Sequence, residues 1–196
     1  MFIKAAVFKK LIKDAWKQSN LVVGMYHDLL NIKGNGWQMA IDPEKLPNKL
    51  KGQLVELTGE LALSGEAYKF GPGGAQATFE ETIQWLDFSS YPEEGKEWYA
   101  THMVTISTDG EALWLQDYEN DHITVDRKLY ALYDPTEIDG EKGETVPAEW
   151  KQNDRYILTR NNTMVLSIDL RTPQWTGEVK IKDVLRGHDL NYDFER

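Results

Sequence analysis

Lys9, Lys13 and Lys17 stand four residues apart, a spacing that puts three ammonium groups on one stripe of a helix. Lys10 lies beside the stripe, and Asp14 offsets part of its charge. The chemistry open to such a row is electrostatic: it neutralises phosphates and reads no bases. Like charges at this spacing cost an isolated helix roughly 0.2–0.5 kcal/mol per pair. The opposite face, Phe8, Leu11, Ile12, Ala15 and Trp16, has the i, i+3, i+4, i+7, i+8 pattern of a helix that buries one side. The stripe is out of keeping with the whole chain, whose 196 residues carry a formal net charge of −10. Residues 1–52 hold nine lysines against four acids, a net of +5, which leaves −15 for residues 53–196. Two readings fit this split: solvated faces that happen to differ, or one surface that attracts a polyanion while the acidic remainder repels it elsewhere.

Other residue types that do chemistry are present without the spacing that chemistry needs. His27, His102, His122 and His188 form no pair at helical metal-ligand spacing. Gly71-Pro72-Gly73-Gly74 lacks the Lys-Ser/Thr of a phosphate-cradling loop and reads as a flexible connector. Glu80/Glu81 and Glu93/Glu94 would form an acid–base pair only across a cleft, and read as helix-start and loop charges. The acidic run 134–149 lacks the ligand spacing of a calcium hand. The expectation is a non-enzymatic protein with no catalytic residues, no cofactor and no metal. Of seven tryptophans, Trp16 and Trp85 fall on apolar helical faces and are expected in the core. Trp98 and Trp150 sit in polar, Pro/Glu-rich surroundings, where an exposed ring would mark a partner surface.

Composition sets the class. Hydrophobic content of 41% and charged content of 28% are those of an ordinary globular domain. With zero cysteines there is no disulfide framework and no thiolate site, which suits a reducing compartment. Lysines interrupt the opening apolar stretches, unlike a signal peptide, and no run reaches the roughly 18 apolar residues of a membrane span. A cytoplasmic protein with no membrane partner is expected.

These residues must be held by a mixture of helices and hairpins. After the first helix, residues 21–42 read as strands broken at Lys33-Gly34-Asn35-Gly36. A second helix is expected over 43–59, with Pro47 in its first turn and Gly59 as its stop. A short strand near 66–70 follows, then a helix over 78–88 from the spacing of Phe79, Ile83 and Leu86. Residues 101–118 read as a hairpin turned at Asp109-Gly110, 123–125 as a strand and 126–133 as a short helix. A loop over 135–149, strands at 155–160 and 164–170, and a strand or helical turn near 181–185 complete the chain.

Set side by side, the two halves have one order of elements: helix, strands, a step of Ile41-Asp42 or Val125-Asp126, a second helix, closing strands. The fold class is α+β, with two similar helix–strand–strand–helix–strand halves: a basic one over 1–74 and an acidic one over 75–196. The elements at Phe8 to Trp16, at Ile41-Asp42-Pro43 leading into Leu46 to Leu57, at Ile106-Ser107-Thr108-Asp109-Gly110, and at Ile123-Thr124-Val125-Asp126-Arg127-Lys128 resemble in order those of the DNA sliding-clamp family. The resemblance implies a duplicated clamp-like fold, helices that present Lys and Arg to double-stranded DNA, and a homo-oligomer. The leading reading is a nucleic-acid-associated protein whose basic first third touches phosphates, with Lys9, Lys13 and Lys17 as central contacts, Lys10, Lys45, Lys49 and Lys51 flanking them, and Arg127 and Lys128 as counterparts in the second half. Glu80 and Glu81 depart from the resemblance, standing where lysines would be expected. The alternative is an acidic accessory or inhibitor protein, a nucleic-acid mimic whose 53–196 region docks on a basic protein partner.

Overall fold

Two apolar periods, 3.6 along the first helix and 2 along the strands, meet on one face of a single sheet. The computed structural model describes residues 3–78, 83–134, 150–153, 155–171 and 176–190. The first half runs α1 (Ala5–Lys17), β1 (Leu21–Tyr26), β2 (Leu29–Gly34), β3 (Trp37–Ile41), α2 (Asn48–Thr58), β4 (Ala67–Gly71) and β5 (Gly74–Ala77). The second runs β6 (Glu97–Ser107), β7 (Gly110–Gln116), β8 (His122–Asp126), α3 (Arg127–Tyr130), β9 (Trp150–Asn153), β10 (Tyr156–Arg160), β11 (Met164–Asp169) and α4 (Thr176–Leu185). Among the described residues the strands join in one eleven-stranded antiparallel sheet of order β5-β4-β1-β2-β3-β11-β10-β9-β6-β7-β8.

That order contains a repeat. From β3 outward the first half reads β3-β2-β1-β4-β5, and from β8 inward the second reads β8-β7-β6-β9-β10-β11. In each, a three-strand meander ends at the Ile41-Asp42 or Val125-Asp126 step, a helix follows, and the next strand returns beside the first strand of the meander. The halves meet where β3 pairs with β11, from Trp37↔Ile168 to Ile41↔Met164. They meet again beside α1, where Ile3 bridges Tyr133 and the Lys4 N–H donates to the Leu132 carbonyl at 2.9 Å.

Strand alternation divides the sheet into two faces. Leu30, Ile32, Trp37, Met39, Ile41, Ile157, Leu166 and Ile168 point into the main core, where Phe8, Leu11, Ile12 and Ala15 of α1 and Leu50 and Leu54 of α2 meet them. Burying side chains of this size stabilises by about 1.5–3 kcal/mol each, which outweighs the repulsion within the lysine stripe. On the other face Leu29, Ala40, Leu158 and Val165 are covered by Leu86 and Tyr91. There the Asn31 side chain holds the Leu86 backbone at both ends: its Nδ2 donates to the Leu86 carbonyl and its Oδ1 accepts the Leu86 N–H, each at 3.0 Å. Gln38 Nε2 donates to the same Oδ1 at 3.0 Å.

Several expectations are corrected. Among the described residues of 78–88 there is no α-helix; residues 83–87 are irregular and a short 3-10 turn, Phe88–Ser90, follows, capped by Asp87. The apolar spacing was helical, but Leu86 gives both of its backbone groups to Asn31, and that tertiary bond overrides the local pattern. Phe79, Glu80 and Glu81 lie outside the described residues, as does the expected 135–149 loop. The second half therefore shows no opening helix among its described residues. His27-Asp28, read within a strand, is the turn of the β1–β2 hairpin, with both residues at positive φ (46° and 62°), the mirror-type turn that fits the strand twist. The 43–59 helix starts at Asn48 after Pro47 and stops at Gly59, whose φ of 82° suits a residue without Cβ. Gly71 and Gly74 pair across the tight β4–β5 hairpin, so the expected connector is ordered. Trp98 and Trp150 offer no exposed rings to a partner: they are a buried cross-strand pair of β6 and β9, at 3% and 1% exposure. The short strand β9 was hidden in sequence by the polar residues around it, and it carries Trp150 beneath Tyr130 and Tyr133.

Replacing Asn31 by leucine leaves the buried Leu86 N–H and carbonyl without their partner. The expected cost is about 2–4 kcal/mol in urea unfolding, since each unmet buried group costs about 1–3 kcal/mol. Hydrogen exchange across residues 84–91 should quicken in the same variant, and unchanged protection there would contradict this role for Asn31.

Candidate nucleic-acid interface

Because α1 and α2 bury their leucine and phenylalanine faces in one core, their charged faces must share the outer side of one layer. In α1 Lys10 and Lys17 are exposed, and Lys9 and Lys13 half-exposed. In and before α2, Lys45, Lys49 and Lys51 are exposed. The two helices touch through Glu56 of α2, whose carboxylate oxygens lie 3.5 Å from the Lys9 ammonium and 3.6 Å from that of Lys13. Lys49 is seven residues before Glu56, two turns away on the same stripe of α2. The structure thus brings the lysines of both helices onto one layer, with one carboxylate bridging two of them.

Arg127 and Lys128 are placed differently. They open the four-residue α3, capped by Asp126, whose side chain accepts the Lys128 N–H. Through Leu129 and Tyr130 the helix joins the same core as α1 and α2. Arg127 is tied to Glu111 of β7 at 2.8 Å, whereas Lys128 is exposed.

A carboxylate cluster escaped the sequence reading, although its Asp117-x-Glu119-x-Asp121 spacing was the available signal. The three side chains converge to within 4.8 Å of one another. Lys96 already fills the centre, its ammonium 2.8, 3.0 and 2.6 Å from Asp117, Glu119 and Asp121. The cation of this site is the chain's own lysine. Hydrogen bonds to Asp117, then Asp121 and Glu119, hold Lys96 protonated well above its ordinary range. Burial opposes ionisation of Asp117, but Lys96 and the N–H groups of Asp121 and Glu119 overcome it and keep its pKa below the ordinary value.

On the face away from the helices, Lys33, Gln38, Gln84, Tyr156, Ser167 and Asp169 line a cleft of about 100 Å³. Burial raises the pKa of Asp169 and nearby Lys33 opposes it. Among the described lining residues there is no histidine, and the Ser167 hydroxyl donates to the Gln38 carbonyl at 3.4 Å. His102 is exposed on β6, and His122 lies on β8, a strand that pairs with β7 and not with β6, so the two do not face each other. No helix of the described residues is long and apolar enough to cross a membrane.

No protein-family model and no curated protein matches the chain. Among solved structures it is similar to a DnaN sliding clamp (DNA polymerase III subunit beta) from Bartonella birtlesii bound to griselimycin, at 11% identity and a TM-score of 0.35, over 92% of this chain and 67% of that one. A second Bartonella birtlesii DnaN sliding clamp aligns at 12% identity and a TM-score of 0.26, over 92% of this chain and 65% of the clamp. The chain bears a weak, low-identity structural resemblance to the sliding-clamp family. A likeness this loose transfers no site, ligand or assembly.

Replacing Lys96 by methionine tests the carboxylate cluster. The Asp117 pKa is depressed in the folded chain, so its stabilisation is complete above the ordinary carboxylate range and is lost as pH falls. Without Lys96 the burial of Asp117 is less well opposed and its pKa rises. The acid-unfolding midpoint followed by circular dichroism should therefore move to higher pH, and an unmoved acid limb would contradict this account.

Proposed function

We propose that the outer side of the α1–α2 layer is a binding face for the phosphates of double-stranded DNA, and that the protein acts there by binding alone. The observation that supports this most directly is the shared layer: Lys9, Lys10, Lys13 and Lys17 of α1 stand beside Lys49 and Lys51 of α2, with Lys45 just before it. Rows of ammonium groups on a rigid helical layer track a phosphate backbone without contacting base edges. The −15 of residues 53–196 disfavours approach of the same polyanion elsewhere and so orients it. Lys128 extends the face towards α3, while Arg127 must first give up Glu111. Glu56 occupies Lys9 and Lys13 in the free protein, and phosphates replace it on binding.

In the same reading, the basic 1–74 and acidic 75–196 units descend from one duplicated motif, on the support of their repeated strand order. Several copies of the chain assemble around the nucleic acid.

Duplex affinity measured against salt concentration tests the face. The wild type should lose affinity steeply as salt rises, and the combined Lys9→Ala, Lys13→Ala and Lys17→Ala variant should lower the log–log slope by roughly 2–3, at about 0.9 per phosphate contact. Glu56→Gln should tighten binding several-fold at fixed salt. A flat salt dependence of the wild type would sink the proposal, and sedimentation as a monomer with and without duplex would sink the assembly.

A further inference from the structure

His122 opens β8, at the end of the strand order, yet only 2% of it is exposed. The residues around it come from β7, from the β7–β8 connection and from the segment carrying α4. Gln116 of β7 lies directly opposite His122 in the strand register and acts as a polar clamp on the residues after α4. Its Nε2 donates to Asp189 Oδ1 and to Asn120 Oδ1, each at 2.8 Å, and its Oε1 accepts the Leu190 N–H at 2.6 Å. The Gly187 N–H adds a bond of 3.3 Å to the Asn120 carbonyl. Among the described side chains of α4 apolar anchoring is slight by comparison: Ile181 and Leu185 are half-buried, while Val179 and Val184 are 48% and 71% exposed. A segment held by a few polar bonds and, among the described side chains, by half-buried Ile181, Leu185 and Leu190 belongs to the least stable part of a fold.

We propose that His122 is a proton-sensitive latch for this segment: α4 and residues 186–190 are docked while the imidazole is neutral and are released when it takes up a proton. Both ring nitrogens are buried without a hydrogen bond of good geometry, and the Trp114 ring stands edge-on with centroids 6.3 Å apart. A neutral imidazole tolerates this place. An imidazolium there would be a desolvated charge, which the His188 backbone stabilises only in part, and it regains water only when the segment lifts.

The groups facing His122 come from three sides. Burial is the largest influence and pushes its pKa below the ordinary value. The His188 backbone, Asp117 and Asp121 favour the cation, and Lys182 of α4 disfavours it. Asp117 and Asp121 are already engaged by Lys96, which blunts their pull. In the released state the imidazole regains an ordinary pKa of about 6.5. The released state therefore binds more protons below that pH, and docking weakens as pH falls. The docking constant drops by about tenfold per pH unit until the lower pKa of the docked state is passed.

The chain has no cysteine, so Val184→Cys gives a single site for a nitroxide label on the exposed side of α4. At pH 8 the label should show one restricted component, and a mobile component should grow as pH is lowered from 7 to 5 while near-ultraviolet circular dichroism stays constant. His122→Gln, which cannot take up a proton in this range, should keep the label restricted throughout. A wild-type spectrum that does not change with pH would overturn the proposal, and so would an equal change in the His122→Gln variant. Should that variant misfold, the ring protons of His122 in the wild type give the answer by NMR titration. Their midpoint should lie below 6.5 and coincide with the shifts of α4 amides, and a midpoint at or above that value, or one separate from α4, would refute the latch.

Discussion

The pairing of β3 with β11 is the constraint on which the rest of the fold depends. It joins a strand of the first half to the last strand of the second through a register that runs from Trp37↔Ile168 to Ile41↔Met164. All five residues of β3 are buried, so the seam lies inside the molecule. Alternation along both strands sends Trp37, Met39, Ile41, Leu166 and Ile168 to the helix side and Ala40 and Val165 to the other. A slip of one residue would reverse every one of these assignments. With the register fixed, α1 and α2 have one face to cover and residues 86–91 the other.

The ends of the sheet are finished unequally. Beyond β8, the chain after β11 turns back so that Leu170 bridges Val125 and the Arg171 N–H donates to the Thr124 carbonyl at 2.8 Å. At the other end β5 is exposed at all four residues, and its shortness limits what could add to it. The two halves thus share an order of strands but differ in what covers them. The first carries the long helices and the lysines. The second carries the carboxylates, with Lys96 set among three of them.

Much of the helix layer was legible in the sequence because its signals are local. The lysine stripe and the apolar face of α1 follow from 3.6-residue spacing, and Gly59 ended α2 as its type demands. The Asp109-Gly110 hairpin and the Val125-Asp126 step into α3 were visible for the same reason. Residues 83–88 were misread because their spacing is helical, while Asn31, 55 residues away from Leu86, holds them irregular. The burial of Trp150 was not legible because the polar residues around it say nothing of the strand it forms, which pairs with β6. Within the candidate face, Glu56 was not seen as the partner of Lys9 and Lys13, because that contact exists only when α1 and α2 are packed side by side.

The sequence by itself determined the first two amphipathic helices, the turns at Asn35-Gly36, Asp109-Gly110 and Asn161-Asn162, the opposite charge of the two halves and part of a recurring element order. Each of these is written in side-chain type and short-range spacing, where neighbours interact whatever the rest of the chain does. Only the tertiary structure decided that both sets of strands share one sheet, that the lysines of α1 and α2 lie on one layer, that Lys96 closes the carboxylate cluster, and that His122 is buried beside Trp114. Those outcomes depend on contacts between residues far apart in the chain, and burial and charge pairing at such contacts are set by the packed backbone.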